Sequence, residues 1–544
     1  MFFFINQNMH AEKSGIEHAE LKRLALFNAH REPCRLVIRD WDPMLHVNTR
    51  AAGVQDAQVI SLFDYYQRAE AVSEQAVSLA DLDFGAGPLT RTMEPEKQRA
   101  LLSAAGRLVA RVNFWPGTRQ VHSTEQFDDF GNLYLVEQYD RRGFVSLQQW
   151  YTPDNHIGME TWLTPDGLPV LEKYRRSDAG GHHLASWRLT DRRGQVFQFA
   201  SLEALTQHFL DDLNAAYWDE ARPNVFVLDR AELAEWGITR LRRPAYTVLY
   251  LHNAHTANAQ DPAAPLLNNH YEFALNDLDA FDAVVAATAK QTRDVVARFA
   301  ARAAAFTIPV GIVAERQLTA PRVPVAQRQF GKIVAFARIA WEKHLDDLVR
   351  AVAIVHRRVP QVTLDLYGYA DAADDYQARR AVEAVIAAEH LEAVVHLKGY
   401  TTHIDQVENQ AMLFGVTSRM EGFNLAVMEA IAHGLIAFTY DVNYGPNEIV
   451  QDGVNGRVVP AGDYQALAAA MIAVLQDPAL AQRYSTGAYA SARRFAPAAV
   501  WTQWQQLIQD AQAHWPAKLV ASRFRQPKDQ PKDQPKDQPK EDRP

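Results

Sequence analysis

Two glutamates eight positions apart stand in an otherwise apolar stretch of the chain. Glu421 and Glu429 belong to SRMEGFNLAVMEAIAHG, which covers residues 418–434. Eight residues of an α-helix rise about 12 Å along its axis, so two carboxylates at this spacing cannot act as a close pair on one bond. They can, however, contact two different parts of one elongated ligand. The competing interpretation is two unrelated surface glutamates, each with a local partner.

A turn further upstream carries two cations at a position where a ligand could bind. Arg338 follows the apolar run KIVAFA, and Lys343 comes five residues later, before the amphipathic segment HLDDLVRAVAIVHRRV. The fork of an arginine and the point charge of a lysine together suit a diphosphate, and amide groups at a helix start add further donors. A solvated basic turn explains the same pair equally well if the stretch is taken alone.

Glycines and amides near these turns extend the candidate ligand-binding set. The runs TLDLYG and VVHLKGY end at Gly368 and at the Gly399–Tyr400 pair, where the backbone can approach a ligand closely. The run MLFGVT predicts a strand, so Glu421 falls in its exit turn, and we expect a helix from Gly422 with Glu429 about two turns into it. Gly422 and Phe423 would then offer amides suited to phosphate. No complete G-x-G-x-x-G or P-loop occurs, which argues against dinucleotide reduction and ATP hydrolysis.

Composition and charge exclude several classes of protein. The chain has 544 residues, a net charge of −9 and one cysteine, Cys34. The acidic balance argues against a nucleic-acid partner, and the single cysteine excludes an intramolecular disulfide framework and is expected to be a small buried hydrophobe. No run approaches the roughly 20 apolar residues that span a bilayer, and the first residues, MFFFINQNMH, predict a strand and not a signal peptide. We therefore expect a cytoplasmic protein.

The order of sequence patterns predicts an α/β architecture with an insertion. Strand and helix signals alternate at the start, give way to short aromatic segments separated by turns such as DDFGN and TPDG, and resume from YTVLYLHN onward. We expect two Rossmann-like domains that face a cleft, the first interrupted by an antiparallel β-meander. The predicted units are the first domain at 1–76 and 213–320, the insertion at 77–212, the second domain at 321–515 and a disordered QPKD-repeat tail at 516–544.

The motifs of the second half together resemble a known family. Arg338, Lys343, the Glu421-x(7)-Glu429 pair, YGPNEIV and DGVNG resemble the C-terminal domain of retaining glycosyltransferases of the E-x(7)-E type, which have the GT-B fold. The resemblance covers roughly residues 331–500. It implies that the two cations hold a nucleotide diphosphate, that Glu429 binds the ribose and that Glu421 contacts the donor sugar near its reacting centre. It also implies that the amides of the following Asn424–Leu425 pair lie near the diphosphate.

The N-terminal half is similar to one branch of these enzymes. NQNMHAEKSGIEHAELKRLALF, RDWDPMLH and the meander resemble the poly(glycerol-phosphate) α-glucosyltransferases of Gram-positive bacteria. The poly(ribitol-phosphate) N-acetylglucosaminyltransferases and the catalytic subunits that glycosylate serine-rich adhesins share this architecture. The resemblance implies that Gly15 borders the donor and that a histidine at a strand end approaches the transferred sugar. In LYLHNAHT we favour His252 over His255 for that role, because His252 is nearer to the strand.

The resulting expectation is a retaining hexosyltransferase that acts in cell-wall synthesis. It would move glucose, or N-acetylglucosamine, from a UDP-sugar to a polyol-phosphate polymer, with glycerol-phosphate teichoic acid as the first acceptor. The alternatives are O-glycosylation of a serine/threonine-rich adhesin and a non-catalytic partner subunit. A sugar-nucleotide epimerase shares a two-domain cleft but does not require the β insertion. As partners, the resemblance implies a homo-oligomer or a heterodimer with a related subunit, and the inner face of the membrane as a place of association.

No cofactor and no metal are expected for this chemistry. Three D-x-D strings, Asp40-Trp-Asp42, Asp81-Leu-Asp83 and Asp277-Leu-Asp279, match a pattern that metal-dependent glycosyltransferases use. Among 65 acidic residues, three such strings are close to the number that chance produces. The Arg338–Lys343 pair already supplies countercharge for a departing diphosphate, and we therefore predict a metal-independent site.

Overall fold

The chain opens with part of a parallel sheet. The computed structural model describes residues 1–85, 87–177 and 183–524. The first elements are β1 (Phe2–Asn6), α1 (Gly15–Ala29), β2 (Cys34–Ile38), α2 (Leu45–Ala51), β3 (Val59–Ser61) and α3 (Leu62–Gln67). Ser14 caps α1: its hydroxyl accepts from the Ile16 amide, and the Glu17 carboxylate accepts from the Ser14 amide. This capping box fixes where the helix after β1 begins.

A ten-stranded antiparallel sheet interrupts the first domain. Its strands are β4 (Thr90–Glu94), β5 (Arg99–Ala104), β6 (Arg107–Phe114), β7 (Val121–Phe127), β8 (Leu133–Asp140), β9 (Phe144–Tyr151), β10 (Ile157–Leu163), β11 (Pro169–Ser177), β12 (His183–Thr190) and β13 (Val196–Phe199). Each strand pairs with its neighbour in sequence, which makes the sheet a meander. Trp162 and Trp187 of this sheet pack against Phe63 of α3, and this contact joins the insertion to the first domain.

The parallel sheet resumes after the insertion. Its further elements are α4 (Leu202–Ala216), β14 (Val225–Leu228), α5 (Glu235–Ile238), β15 (Tyr246–Leu251), α6 (Glu272–Asn276), β16 (Ala283–Ala286), α7 (Ala289–Phe299), β17 (Ala304–Thr307) and α8 (Glu315–Leu318). The strand order is β17-β16-β15-β14-β1-β2-β3, with every pair parallel. Alternate side chains of β1 are buried on opposite faces: Phe3 packs towards the insertion, and Phe4 packs towards α1. Continuous apolar strands of this kind need cover on both faces, which the helices and the insertion provide.

A second parallel sheet forms the C-terminal half. Its elements are β18 (Lys332–Phe336), α9 (Leu345–Arg358), β19 (Thr363–Tyr367), α10 (Ala373–Ala388), β20 (Val395–Gly399), α11 (Ile404–Gln410), β21 (Leu413–Val416), α12 (Leu425–Ala432), β22 (Ile436–Tyr440), α13 (Pro446–Ile449), β23 (Gly456–Val459), α14 (Tyr464–Gln476) and α15 (Pro478–Ala492). The strand order, β20-β19-β18-β21-β22-β23, reverses between β18 and β21. Such a reversal opens a crevice at the carboxyl ends of the two strands, where doubly wound domains bind ligands.

The last described helix runs past the predicted start of the tail at residue 516. Helix α16 (Pro497–Phe524) leaves the C-terminal domain and packs on the first one, where Trp504 lies with its ring centroid 5.2 Å from that of Phe27. Lys518 pairs with Asp282 near its end. The helix therefore continues through 516–524, which sequence analysis assigned to the tail. Pro516 removes one amide donor without ending the helix, because contacts of Trp515 and Lys518 with the first domain hold the helix on either side of the proline.

One predicted limit of the insertion falls inside a helix. The predicted limit of the insertion at 212 falls inside α4, which packs into the core of the first domain. The QPKD repeats lie outside the described residues. None of the described helices combines the length and the apolar character that crossing a membrane requires.

Candidate functional site

A cavity of about 330 Å³ lies where strand ends of the two parallel sheets face each other. Residues that follow β1, β15, β18 and β21 contribute to its wall. The sequence-predicted residues among its lining are Gly15, His252, Arg338, Lys343, Glu421, Gly422, Phe423, Asn424 and Leu425. Most of the predicted set is therefore brought together, although its members come from both domains.

Glu421 is the most constrained of these side chains. It is 8% exposed, and its Oε1 atom accepts from Lys343 Nζ and Ser418 Oγ, both at 2.7 Å, and from Asn424 Nδ2 at 3.1 Å. Within the described residues its Oε2 atom accepts no hydrogen bond. The carboxylate is thus held in place through one oxygen, which leaves the other for a ligand.

Arg338 is held by carboxylates of its own domain. Its guanidinium donates to Asp371 Oδ2 at 2.7 Å and to Glu342 Oε1 at 2.5 Å, and its side chain is 42% exposed. Lys343, in the same loop, is paired with Glu421. Both cations therefore already have carboxylate partners, and a diphosphate entering the cavity would compete with these partners or share the cations with them.

The turn before α12 differs from the predicted helix start. The helix begins at Leu425 and not at Gly422, because Asn424 adopts a left-handed backbone conformation with φ of 75°. Asparagine tolerates this conformation, and here its Oδ1 caps the helix by accepting from the Val427 amide at 3.0 Å. Glu429 consequently lies just over one turn into the helix, and not two.

Two glycines permit close backbone approaches at the cleft. A Cβ atom on Gly422 would lie 2.0 Å from the carbonyl oxygen of His252, so the two domains meet backbone to backbone at this point. A Cβ atom on Gly368 would lie 2.0 Å from the carbonyl oxygen of Ala337, which keeps the end of β19 against the Arg338 loop. Gly399 accepts from the Gly368 amide, and Tyr400 is 53% exposed. Gly368, Gly399 and Tyr400 do not line the 330 Å³ cavity.

His252 is oriented by a buried ionic network that sequence analysis missed. Its Nε2 atom lies 2.7 Å from Oδ1 of Asp229, whose carboxylate also accepts two hydrogen bonds from Arg23. Burial opposes ionisation of Asp229, but the Arg23 charge and the His252 hydrogen bond outweigh it and hold the pKa of this carboxyl well below its usual range. Because an ionised carboxylate only accepts, Nε2 carries the proton and Nδ1 is the nitrogen left for a ligand.

A second acid completes this network. Burial, followed by the charge of Asp229, raises the pKa of Glu20 well above its usual range. The signal that sequence analysis overlooked was the position of Asp229 directly after the apolar run NVFVL.

His255 lies outside the cavity. It is fully buried, its Nε2 atom lies 3.1 Å from the Pro262 carbonyl oxygen, and its ring stacks on that of Tyr444 at a centroid distance of 5.9 Å. Burial lowers its pKa. These contacts describe a packing residue between the two domains.

Glu429 lines a larger neighbouring cavity of about 720 Å³. Its Oε1 atom accepts from Lys22 Nζ of α1 at 2.6 Å, which forms an ion pair across the domain interface. His433 and the buried Glu408 lie in the same wall, with His433 Nδ1 2.5 Å from Glu408 Oε2. Burial raises the pKa of Glu408 to about 7. The two glutamates of the original motif thus line separate but adjacent spaces, which fits contact with two parts of one ligand.

The D-x-D strings do not contribute to the 330 Å³ cavity. Within the described residues, one group has the spacing of a metal site: His344, Asp346 and Asp347. Arg350 already pairs with both carboxylates, and Tyr440 donates to Asp347. A cation would have to displace the arginine, so this group does not resemble a prepared metal site. Metal independence stays a prediction.

The C-terminal domain matches a known family. Residues 321–491 match the family described as Glycosyl transferases group 1. The chain is 30% identical over 323 residues to a Streptococcus gordonii UDP-N-acetylglucosamine–peptide N-acetylglucosaminyltransferase GtfA subunit, covering 57% of this chain and 60% of the relative. It is 27% identical over 286 residues to a Bacillus subtilis poly(glycerol-phosphate) α-glucosyltransferase, covering 51% and 41%. The chain thus spans about half the length of the curated relatives it matches.

Solved structures match nearly the whole chain. The pneumococcal O-GlcNAc transferase GtfA, in complex with UDP and GlcNAc, superposes with a TM-score of 0.77 at 22% identity, covering 94% of this chain and 98% of that one. A mutant of Staphylococcus aureus TarM, in complex with UDP, α-GlcNAc-glycerol and fondaparinux, has a TM-score of 0.75 at 16% identity and covers 93% and 99%. The likeness confirms the predicted fold, a GT-B arrangement with an inserted antiparallel sheet.

Proposed function

We propose that this chain is a retaining glycosyltransferase that moves glucose or N-acetylglucosamine from a UDP-sugar to a polyol-phosphate polymer. One observation carries the proposal: Arg338, Lys343 and Glu421 line a single cavity between the domains, and the domain that supplies them matches the group 1 glycosyl transferases. A poly(glycerol-phosphate) α-glucosyltransferase among the relatives supports a glycerol-phosphate acceptor, such as a wall teichoic acid.

The residues divide into groups along an elongated donor. The diphosphate lies between the Arg338–Lys343 pair and the amides of 422–425, and Glu429 binds the ribose in the adjacent cavity. Gly15 and the strand-end residues 368, 399 and 400 border the donor. The hexose then lies between Glu421 and His252. This assignment uses both glutamates of the motif, each on a different moiety.

Catalysis in this arrangement is mainly electrostatic. The bond between the anomeric carbon and the diphosphate oxygen breaks, negative charge grows on UDP, and the two cations stabilise it without a metal. Glu421 orients the sugar and stabilises the positive charge that develops on its ring. The acceptor oxygen attacks from the face that UDP leaves and passes its proton to the departing diphosphate oxygen, and domain closure excludes water. The anomeric configuration is thereby retained.

A protein acceptor is the second candidate. The first four curated relatives are peptide N-acetylglucosaminyltransferase subunits, and one solved neighbour is a GtfA/B complex. These observations favour serine or threonine hydroxyls as acceptors and a related subunit as a partner. A homo-oligomer of this chain is the alternative to a complex with a related subunit. A non-catalytic role is less well supported, because all four polar residues of the motif are present.

A donor and acceptor panel tests the proposal. Purified chain is incubated with radiolabelled UDP-glucose or UDP-N-acetylglucosamine and with polyglycerol phosphate, polyribitol phosphate or a serine/threonine-rich peptide. We expect transfer to polyglycerol phosphate, with an α-linkage by NMR of the product. Transfer to the peptide alone would establish the second candidate. Absence of UDP binding would overturn both.

The Lys22–Glu429 ion pair yields a prediction about donor affinity. Lys22 pairs with the carboxylate of Glu429, the group assigned here to the ribose. Lys22→Ala should therefore free Glu429 and tighten UDP binding. A partly exposed pair contributes about 0.2–1 kcal/mol, which corresponds to a change in Kd of about 1.4- to fivefold. Isothermal calorimetry measures it. Lys97→Ala, which removes a lysine paired with Glu94 in the insertion, is the control. Weaker UDP binding in Lys22→Ala would mean that Lys22 itself contacts the nucleotide.

A further inference from the structure

A third space lies between the domains, beside the candidate reaction centre. It has a volume of about 340 Å³ and is lined by the loop 257–260 of the first domain and by residues of the second domain, among them Trp341, Ser418, Arg419 and Met420. Ser418 connects it to the candidate site, because its hydroxyl donates to Glu421 while the residue also lines this pocket. The 338–344 loop contributes to both spaces: Arg338 and Lys343 line one, and Trp341 and His344 line the other.

The pocket contains a cation, Arg419, for which the described part of the chain supplies no counter-ion. The guanidinium of Arg419 lies 4.7 Å from the ring centroid of Trp341, whose side chain is 62% exposed. The Arg419 amide donates to the Glu342 carbonyl at 2.7 Å, which fixes the residue in the turn. Within the described residues, the guanidinium forms no ion pair and no hydrogen bond. Arg338 on the other side of the loop, by contrast, has two carboxylate partners.

The rest of the lining favours an anionic, hydroxylated ligand. No aspartate or glutamate lines this pocket, and Arg419 is its single lysine or arginine among the described residues. His344 lies 3.3 Å from Asp347, which already partners its ring, and burial lowers its pKa. Asn258 and Gln260 supply amide groups from the opposite domain. A guanidinium fork matches a phosphate, and an exposed indole offers a surface for the carbon chain of a polyol.

We propose that this pocket binds a phosphodiester group of the acceptor, next to the hydroxyl that receives the sugar. Arg419 holds the phosphate and Trp341 packs against the polyol carbons. The inference rests on the proposed function, since it places the acceptor of that reaction. It adds an acceptor subsite on the far side of the 418–421 turn from the donor.

The test uses the whole chain and a defined glycerol-phosphate oligomer with UDP-glucose. Arg419→Ala should raise the KM for the oligomer about tenfold, which corresponds to the loss of about 1.4 kcal/mol of binding free energy. The Kd of UDP, measured by calorimetry, should change by less than about twofold. Arg419→Lys should recover part of the affinity, and Trp341→Ala should also raise KM. The matched control is Arg240→Ala, since Arg240 stacks on Trp236 at 4.9 Å elsewhere on the first domain.

The outcomes separate this inference from the proposed function. Wild-type chain that neither binds UDP nor transfers sugar would refute the proposed function itself. Normal transfer to the oligomer with an unchanged KM in Arg419→Ala would refute the acceptor subsite and leave the proposed function standing. Transfer to a serine/threonine-rich peptide alone, with equal KM in wild type and Arg419→Ala, would likewise refute the subsite.

Discussion

Glu421→Gln is expected to lower kcat about 100- to 1,000-fold while the chain keeps its affinity for UDP. The substitution preserves size and the capacity to hydrogen-bond, but it removes the negative charge that would stabilise a positive sugar ring. It also weakens the contact with Lys343, which lies 2.7 Å from the carboxylate. Steady-state kinetics with UDP-glucose and calorimetry with UDP measure the two effects.

Arg338→Ala serves as the contrasting variant for this prediction. Its guanidinium is assigned to the diphosphate, so its loss should weaken UDP binding as well as turnover. The two variants therefore separate sugar activation from nucleotide binding. If Glu421→Gln turns over at close to the wild-type rate, the carboxylate does not act at the reacting centre, and its role is to hold Lys343 and the 418–424 turn.

The part of the site that lies at the ends of strands was predictable from the sequence. Arg338 and Glu421 follow the apolar runs that became β18 and β21, and these strands flank the reversal in sheet order. Residues after such strands must lie at one edge of the sheet, so their proximity follows from the alternation of strands and helices. The meander was predictable for a similar reason, since its turns recur between short alternating strands.

Contacts between distant segments were not predictable in the same way. Arg23 and Asp229 are 206 positions apart, and Lys22 and Glu429 are 407 positions apart. No local pattern links such pairs, because packing of the complete domains brings them together. The start of α12 was missed for another reason. The side-chain amide of Asn424 donates to Glu421 and accepts from the Val427 amide at the start of the helix. These hydrogen bonds favour a left-handed backbone conformation at Asn424, where the apolar pattern had suggested helix.

Asp229→Asn should cause the largest loss of stability, about 3–5 kcal/mol in the free energy of unfolding. The carboxylate is buried between Arg23 and His252, and its removal leaves the guanidinium charge without its main partner. Because the pKa of Asp229 is depressed in the folded chain, its stabilising contribution is present above the unfolded value of about 4 and is lost as the pH falls through the folded value. The variant should lack this part of the acid dependence, which chemical denaturation across a pH series measures.

The same substitution should also affect catalysis, through the histidine. An amide can donate to Nε2, so the proton of His252 is no longer confined to that atom and Nδ1 is no longer the fixed acceptor. We expect kcat to fall about tenfold or more at a temperature where the variant is fully folded. Asp282→Asn is the matched control, because Asp282 pairs with Lys518 at the docking site of α16 and lies outside the cavity lining. Loss of stability in Asp229→Asn with kcat equal to that of the control would assign the network to folding alone and would show that turnover does not depend on the orientation of His252 by Asp229.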